Sequence, residues 1–274
     1  MVKSKKWDIP FYLLMVIVSL VMIFPFLWML SASLKFDTQV FTTPIEWIPD
    51  PLNLSNYIKV WTEEPFLQYY LNTIKVAVSA TAGQVVISAM AAYAFAIIPF
   101  RGRKLLFGLY LATMMVPWHT IMIPQYQIIS AMGLTDTHLA LIFGQLASAF
   151  GIFLLRQFFL TVPRELIEAA RIDGAGEFRS FRSVMLPQAK PALSTLIIFT
   201  FVQVWNDYTA PLIYLNTREK YTIQLGLSFF QSEHTMQYTV IMAGTVCALI
   251  PILIIYMIFE KRITAGMIHS GLKG

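Results

Sequence analysis

The sequence predicts an all-α integral membrane protein of six transmembrane helices, and three observations carry that reading. Of its 274 residues 57% are hydrophobic and 13% charged, with a mean hydropathy of +0.64. A soluble domain carries about 25% charged residues. Apolar runs long enough to cross a bilayer recur along the chain, parted by polar segments. The basic charge alternates between those segments. Fifteen of the 20 Lys and Arg fall in four groups: Lys3, Lys5, Lys6; Arg101, Arg103, Lys104; Arg156, Arg164, Arg171, Arg179, Arg182, Lys190; and Lys261, Arg262, Lys273. The other five, Lys35, Lys59, Lys75, Arg218 and Lys220, lie in or beside the alternate segments. Positive charge collects on the cytoplasmic side of membrane proteins. The pattern therefore puts both termini in the cytoplasm, and it explains the net charge of +5 without nucleic acid.

The first span runs from Phe11 to about Leu34, with Pro25 a kink. Ser31-Ala32-Ser33 resembles a signal cleavage site, but the roughly 20 apolar residues ahead of it exceed a signal core and suffice to cross a bilayer. Residues 35–70 form the longest external segment. Its Trp47, Tyr57, Trp61, Phe66, Tyr69 and Tyr70 suit a membrane interface, and Asn53 to Trp61 reads as a short helix lying there. Asn72–Ile98 is the second span. Its small residues, among them Ala77, Ala80, Gly83, Ser88, Ala89 and Ala92, let neighbouring helices come close, so it is expected inside the bundle. Pro99 ends it, and Arg101-Gly102-Arg103-Lys104 makes a tight internal turn.

The third span, Leu105 to about Ile129, is interrupted by Pro117 and Pro124. Such breaks are tolerated where protein or a water-filled path satisfies the freed backbone groups. Ser130–His138 is a short external turn, and Leu139–Leu160 the fourth span, with Gln145 and Ser148 as its polar members. Ala192–Tyr214 is the fifth span, residues 215–237 the second external loop, and Tyr238–Phe259 the sixth span, closed by Glu260-Lys261-Arg262. The chain divides into an N-terminal part (1–70, tail, first span and external loop), a core of five spans (71–262), and a C-terminal cytoplasmic tail (263–274).

Between the fourth and fifth spans lies the one long polar segment that reads as folded, Pro163 to Leu193. Pro163 suits the first position of a helix, and Glu165 favours the positive end of its dipole. Leu166, Ile167, Ala169, Ala170 and Ile172 give it an apolar face, and Gly174 stops it. A second helix, from about Gly176 to Met185, sets Phe178, Phe181 and Met185 at helical spacing with Arg179 and Arg182 between them. Pro187 and Pro191 mark the start of the next span. The expectation is a helix, glycine, helix elbow against the membrane surface.

In Glu168, Ala169, Ala170, Asp173, Gly174, Ala175, Phe181, Leu186, Pro187, Pro191, Ala192 and Leu193 this segment, at about 163–191, resembles the cytoplasmic EAA loop of ABC importer permeases. The order of spans, the third-span stretch M-V-P-W-H-T-I-M-I-P-Q-Y and the tail T-A-G-M-I-H-S-G-L-K-G extend the likeness to carbohydrate-type permeases related to the second membrane subunit of the maltose transporter. The resemblance implies a type I ABC importer permease fold in a bacterial cell membrane. It also implies a coupling helix docking on an ATPase through Glu168, Ala169, Ala170, Asp173, Gly174 and Ala175. The partners it implies are a homologous second permease, two copies of the ATPase subunit that bind ATP and Mg, and an extracellular or periplasmic solute-binding protein delivering a disaccharide or oligosaccharide. Gly271, Leu272, Lys273 and Gly274 match a tail that reaches between the ATPases, with a frayed end as the other reading.

The chain itself carries no phosphate loop, since no Gly-Lys pair occurs in it, and His119, His138, His234 and His269 lack ligand spacing. No catalytic residue, metal ligand or cofactor is expected. Cys247, the single cysteine, reads as a packing residue. Asp207 is the sole carboxylate well inside a span, where an unpaired charge is costly. Asn206-Asp207 either lines the translocation path or forms a structural knot, and Trp118, His119 and Gln145 either line the path or pack. Three rivals remain: the same machine carrying glycerol phosphate or a polyol-like solute; an autonomous secondary transporter, disfavoured by the lack of paired intramembrane charges and of an internal repeat; and a membrane scaffold, which gives no reason for the elbow.

Overall fold

The computed structural model describes residues 8–63, 65–233 and 237–271. Every regular element among them is helical, as expected in lipid, where each backbone N–H and C=O must be satisfied within its own segment. Two compact units divide the chain: residues 1–67 with 226–250, and residues 68–225 with 251–274.

In the first unit, helix α1 (Asp8–Ser33) contains Pro25 and is apolar all round. Ile9, Leu14, Val21 and Phe26 are all exposed, so this helix offers its side chains to its surroundings. The chain then doubles back to helix α2 (Ser55–Thr62). Two asparagines hold that turn. Asn56 Nδ2 donates to the carbonyls of Ser33 (2.9 Å) and Lys35 (2.8 Å), and Asn53 N donates to Leu34 O at 2.8 Å. The helix starts at Ser55, two residues later than its sequence pattern suggests, because Asn53 Oδ1 accepts from both the backbone and the hydroxyl of Ser55 (3.1 and 2.6 Å) and turns the chain there. The last helix of the chain, Tyr238–Gly271, begins in this unit, where Asp37 Oδ1 accepts from the backbone and hydroxyl of Thr239 at 3.2 and 2.9 Å.

The second unit is built on α3 (Phe66–Ala96). Around it come α4 (Arg103–Ala112), α5 (Trp118–Ala131), α6 (His138–Gln145), α7 (Ala149–Phe159) and α8 (Arg164–Ile172). A short α9 (Glu177–Ser180) runs through one π-helical turn, Phe181–Met185, into α10 (Leu186–Gln188). Helices α11 (Lys190–Trp205) and α12 (Thr209–Tyr214) follow in this unit, whereas most of α13 (Ile223–Glu233) and the first part of α14, the Tyr238–Gly271 helix, belong to the first unit. Of the small residues of α3, Ala77, Ala80, Ser88, Ala89 and Ala92 are buried as the sequence predicts and Gly83 and Ala91 half-buried, whereas Ser79 and Ala82 are exposed on the opposite side. Ala89, Ala92, Tyr93 and Ala96 pack with Phe107 of α4, Ile152, Leu155 and Phe159 of α7, and Leu196 of α11 in one apolar core. Gln84 Nε2 donates to Thr200 Oγ1 at 2.8 Å, a buried polar link from α3 to α11.

Only three helical stretches among the described residues are long and apolar enough to cross a membrane unbroken: Ile9–Ser33, Phe66–Ala96 and Tyr238–Glu260. Three bent pairs could supply the others, giving up to six. The third expected span turns through 104° between Met115 and Trp118, at Pro117, while Pro124 stays inside α5 without ending it. The fourth bends by 41° between Gln145 and Ala149. Ser148 causes that restart: its hydroxyl accepts from Gly151 N at 3.1 Å and caps α7. The third bent pair is Glu177–Gln188 with Lys190–Trp205, at 80°, so it draws on the Pro163–Leu193 segment. The expected fifth span ends its first helix at Trp205, and Asp207 Oδ1 accepts from Ala210 N at 3.1 Å as α12 begins.

The first turns of α3 are fastened to the loop after α12. Asn72 Nδ2 donates to the carbonyls of Glu219 and Tyr221 at 2.8 and 3.0 Å, and Thr73 Oγ1 accepts from Ile223 N at 2.8 Å. Beside them Asp136 adopts a left-handed conformation (φ 56°), which its short polar side chain tolerates. Its carboxylate accepts from the backbone N–H of Asn216 and Thr217 at 2.9 Å each, from the Thr217 hydroxyl, and from Lys220 Nζ at 2.8 Å. Lys220 first, then the Thr217 hydroxyl and the two amides, hold this carboxyl well below the usual range.

Candidate functional site

The Pro163–Leu193 segment forms an elbow at the other end of α3. Pro163 stands just before α8 with φ −56° and ψ 130°, one position earlier than its sequence context suggests. Gly174 (φ +79°) ends the helix: its N–H donates to Arg171 O at 3.0 Å, and Ala175 N donates to Ala170 O at 2.9 Å. That pair of bonds closes a helix on a left-handed glycine and satisfies its last carbonyls. The second helix is shorter than predicted, because after Ser180 its hydrogen bonding lengthens into the π-turn.

The elbow has two faces. Inward, Ile167, Phe181, Met185 and Ala189 join the core formed by α3, α4 and α7, and the Phe181 ring lies 5.3 Å from that of Tyr93. Outward, Glu168, Ala169, Asp173 and Gly174 are exposed, while Ala170 and Ala175 are half-buried. Ile172 and Phe178, at 86% and 67% exposure, add large apolar side chains to that surface. The six residues matched to a docking helix therefore lie together along α8 and its terminal turn, with four of them open to a partner. A cleft beside α8 is lined by Arg103, Arg164, Glu168 and Arg171 over Ala96 and Pro99.

The sequence pattern does not reveal the polar bonds behind this face. Arg171 donates to Glu177 Oε1 from Nη2 (2.6 Å) and Nε (3.1 Å), and Tyr93 donates its hydroxyl to Glu177 Oε2 at 2.8 Å. Glu177 lies 84 residues from Tyr93 in the chain, so no local spacing signals the contact. Arg156, read only as a basic residue near the inner end of a span, donates from Nε to Phe95 O at 3.1 Å and sets its guanidinium 4.1 Å over the Phe107 ring.

The residues weighed as translocation lining divide. Gln145 and Asp207 share a small recess with Thr73, Leu141, Val204 and Pro211, and Trp118 does not line it. Trp118 Nε1 instead donates to Gln125 Oε1, one face along α5, at 3.1 Å, and its ring lies edge-on to that of His119. Asn206 is exposed, donates to Val202 O at 3.0 Å and accepts from Gln224 Nε2 at 3.2 Å. Of the tail, Gly271 is the last residue of α14, and Leu272, Lys273 and Gly274 lie outside the described residues. Among the described residues no group of three or more His, Cys, Asp or Glu could hold a metal ion.

A family model described as the inner membrane component of binding-protein-dependent transport systems matches residues 84–269. The diacetylchitobiose uptake system permease protein of Streptomyces coelicolor is 33% identical over 262 residues, covering 94% of this chain and 86% of that protein. The arabinooligosaccharides transport system permease protein of Bacillus subtilis is 30% identical over 271 residues, 98% and 96% of the two chains. The sn-glycerol-3-phosphate transport system permease protein of Yersinia pestis is 32% identical over 271 residues, 96% of each. Among solved structures, a chain of a bacterial ABC transporter involved in the import of the acidic polysaccharide alginate superposes with a TM-score of 0.83 at 26% identity, over 95% of this chain and 99% of that one. A chain of a bacterial alginate ABC transporter in complex with an alginate pentasaccharide-bound periplasmic protein has the same fold, with a TM-score of 0.69 at 13% identity.

Proposed function

Because this chain belongs to the inner membrane component family of binding-protein-dependent transport systems, we propose that it is a permease subunit of an ATP-driven importer and forms half of an alternating-access pathway for a disaccharide or oligosaccharide. The observation that carries the reading is the two-faced elbow. Its inward side is part of the core of α3, α4 and α7, and its outward side exposes Glu168, Ala169, Asp173 and Gly174. Closure of an ATPase held on the outer face would then be delivered to the membrane helices through the inner one. In this arrangement the chain crosses the cell membrane six times with both termini inside. A second permease completes the pathway, two ATPase subunits bind ATP and Mg beneath it, and an extracellular or periplasmic binding protein supplies the solute. The chain itself supplies no hydrolytic chemistry. Gln145, Asn206, Asp207 and Trp118 are proposed as lining, and Gly271 to Gly274 as a tail contacting the ATPases.

The test is purification of the amino-terminally tagged chain, expressed with its neighbouring genes, and identification of the co-purifying chains. A second permease and an ATPase are expected. Recovery of the chain alone, competent for ion-driven transport after reconstitution, would overturn the reading. The sn-glycerol-3-phosphate relative favours one alternative cargo, a phosphorylated polyol. Competition of uptake by unlabelled oligosaccharides against sn-glycerol-3-phosphate separates the two.

A further inference from the structure

Among the described residues, the Glu177 carboxylate joins both halves of the elbow to a long helix of the second unit by hydrogen bonds. Its Oε1 takes Arg171, on the last turn of α8, across the Gly174 turn, and its Oε2 takes the hydroxyl of Tyr93 on α3. Among the described residues this is the only hydrogen bond between the elbow and α3. The surroundings make the link consequential. Between α8 and α9 stand Gly174 and Gly176. Ile167 before them and Phe181 after them are held in the core, but a Cβ built on either glycine has nothing within 4 Å, so the turn itself is open. Tyr93, by contrast, is 4% exposed and is locked by core neighbours, Phe181 among them. An exposed ion pair adds little to stability, and Arg171 and Glu177 are 41% and 46% exposed. What the triad supplies is direction: beside the apolar contacts of Ile167 and Phe181, it ties both sides of the turn to a buried anchor on α3.

From this we propose that Tyr93 and Glu177 are positioning residues of the importer, and that the Arg171–Glu177–Tyr93 bridge makes α8 and α3 move as one body when the ATPase closes. The proposal rests on the docking role given to the elbow. Without the bridge, only the apolar contacts of Ile167 and Phe181 would carry the push to α3, and part of it would be absorbed by rotation about Gly174 and Gly176.

The test uses the assembled complex with its native cysteines replaced, Cys247 among them, and spin labels at Glu165→Cys on α8 and Met90→Cys on α3, both exposed positions. The label-to-label distance is measured without nucleotide and after trapping with ATP and vanadate, in the parent, in Tyr93→Phe and in Glu177→Gln. Tyr93→Phe keeps the ring that packs on Phe181 and removes only the hydroxyl. The parent is expected to give one narrow distance that trapping leaves unchanged. Both variants should retain the ATPase, yet show a broadened distance that shifts on trapping, and the double variant should look like either single one. Variant distances as narrow and as invariant as the parent's would overturn the proposal, as would a parent distance that itself changes on trapping. Loss of the ATPase in Glu177→Gln would overturn it too, by making Glu177 part of the docking face. If the parent recovers no ATPase at all, the docking role of the elbow fails, and that outcome is read before any distance is measured.

Discussion

Gly174 offers a way to separate what the elbow needs for its own shape from what a docked partner demands. The residue sits at φ +79°, and a Cβ built on it has nothing within 4 Å. Any residue with a Cβ pays about 1–2 kcal/mol to hold the left-handed conformation, a factor of about 5–30 in the population of the correctly turned elbow. Asparagine tolerates that conformation better than alanine does. Strain alone therefore predicts that Gly174→Ala is the worse variant and Gly174→Asn nearly silent. Close approach of a partner predicts the reverse order, because Asn projects further from the backbone than Ala. Gly174→Asp adds a negative charge beside Asp173 at the carboxyl end of α8, where the helix dipole disfavours it by about 0.3–1 kcal/mol. The assay is the amount of ATPase recovered with the tagged permease, normalised to permease in the membrane, together with solute uptake. We expect all three variants to reach the membrane, Asn to retain less ATPase than Ala, and Asp to abolish uptake. ATPase recovery with Asn that matches wild type, while Ala loses it, would refute close approach. Normal transport by Gly174→Asp would remove the elbow from the docking role altogether.

Three further outcomes follow from the geometry. At Gly151 a Cβ would lie 2.6 Å from the buried Ser88 Oγ and 3.2 Å from Leu196 Cδ1, so Gly151→Ala should cost about 1–3 kcal/mol, and Ser88→Gly should recover part of the lost melting temperature in detergent. Asp207 accepts from Ala210 N, so Asp207→Ala should lower the melting temperature by the loss of a cap worth about 1 kcal/mol, whereas Asp207→Asn keeps an acceptor there; uptake lost in Asp207→Asn at unchanged stability would assign the carboxylate to the pathway. The Asp136 carboxyl is depressed by Lys220 and the Thr217 and Asn216 donors. A depressed carboxyl stabilises above its unfolded value of about 4 and loses that contribution as pH falls through its lower folded value. Amide exchange at Asn216 and Thr217, corrected for intrinsic rates, should therefore stay slow from neutral pH down past 4, accelerate only in stronger acid, and be fast at neutral pH in Asp136→Ala.

The elbow is legible in the sequence because its determinants are local. Glu165 in a first turn and Gly174 at a stop are read within a few residues of the bonds they make, and the closing bonds span only three and five positions. The expected face of Phe178, Phe181 and Met185 holds only for the last two, because the π-turn leaves Phe178 outside. The Tyr93–Glu177 contact is invisible for the opposite reason, since its partners belong to segments with no shared periodicity. The bends divide along the same line. Pro117 announces a break because its ring cannot continue a helix. Ser148 reads as one more polar residue in an apolar run, although it caps α7 there. Hydropathy could not have distinguished them, because it measures how much apolar chain is present and says nothing about the path that chain takes. In lipid it also loses the power to tell the inside from the outside: none of the most apolar window of α1 is buried within the chain, whereas 39% of that of α3 is, and α1 is the more hydropathic of the two. Residue size carries the signal that hydropathy loses. Ala77, Ala80, Ala89, Ala92 and Ala96 of α3 face inward while Ala82 does not, because close helix approach needs small side chains on the facing side whatever the solvent. For a chain of this kind the buried helix is therefore found by its Ala, Gly and Ser, and the helix left to lipid or to another subunit by its Leu, Ile and Phe.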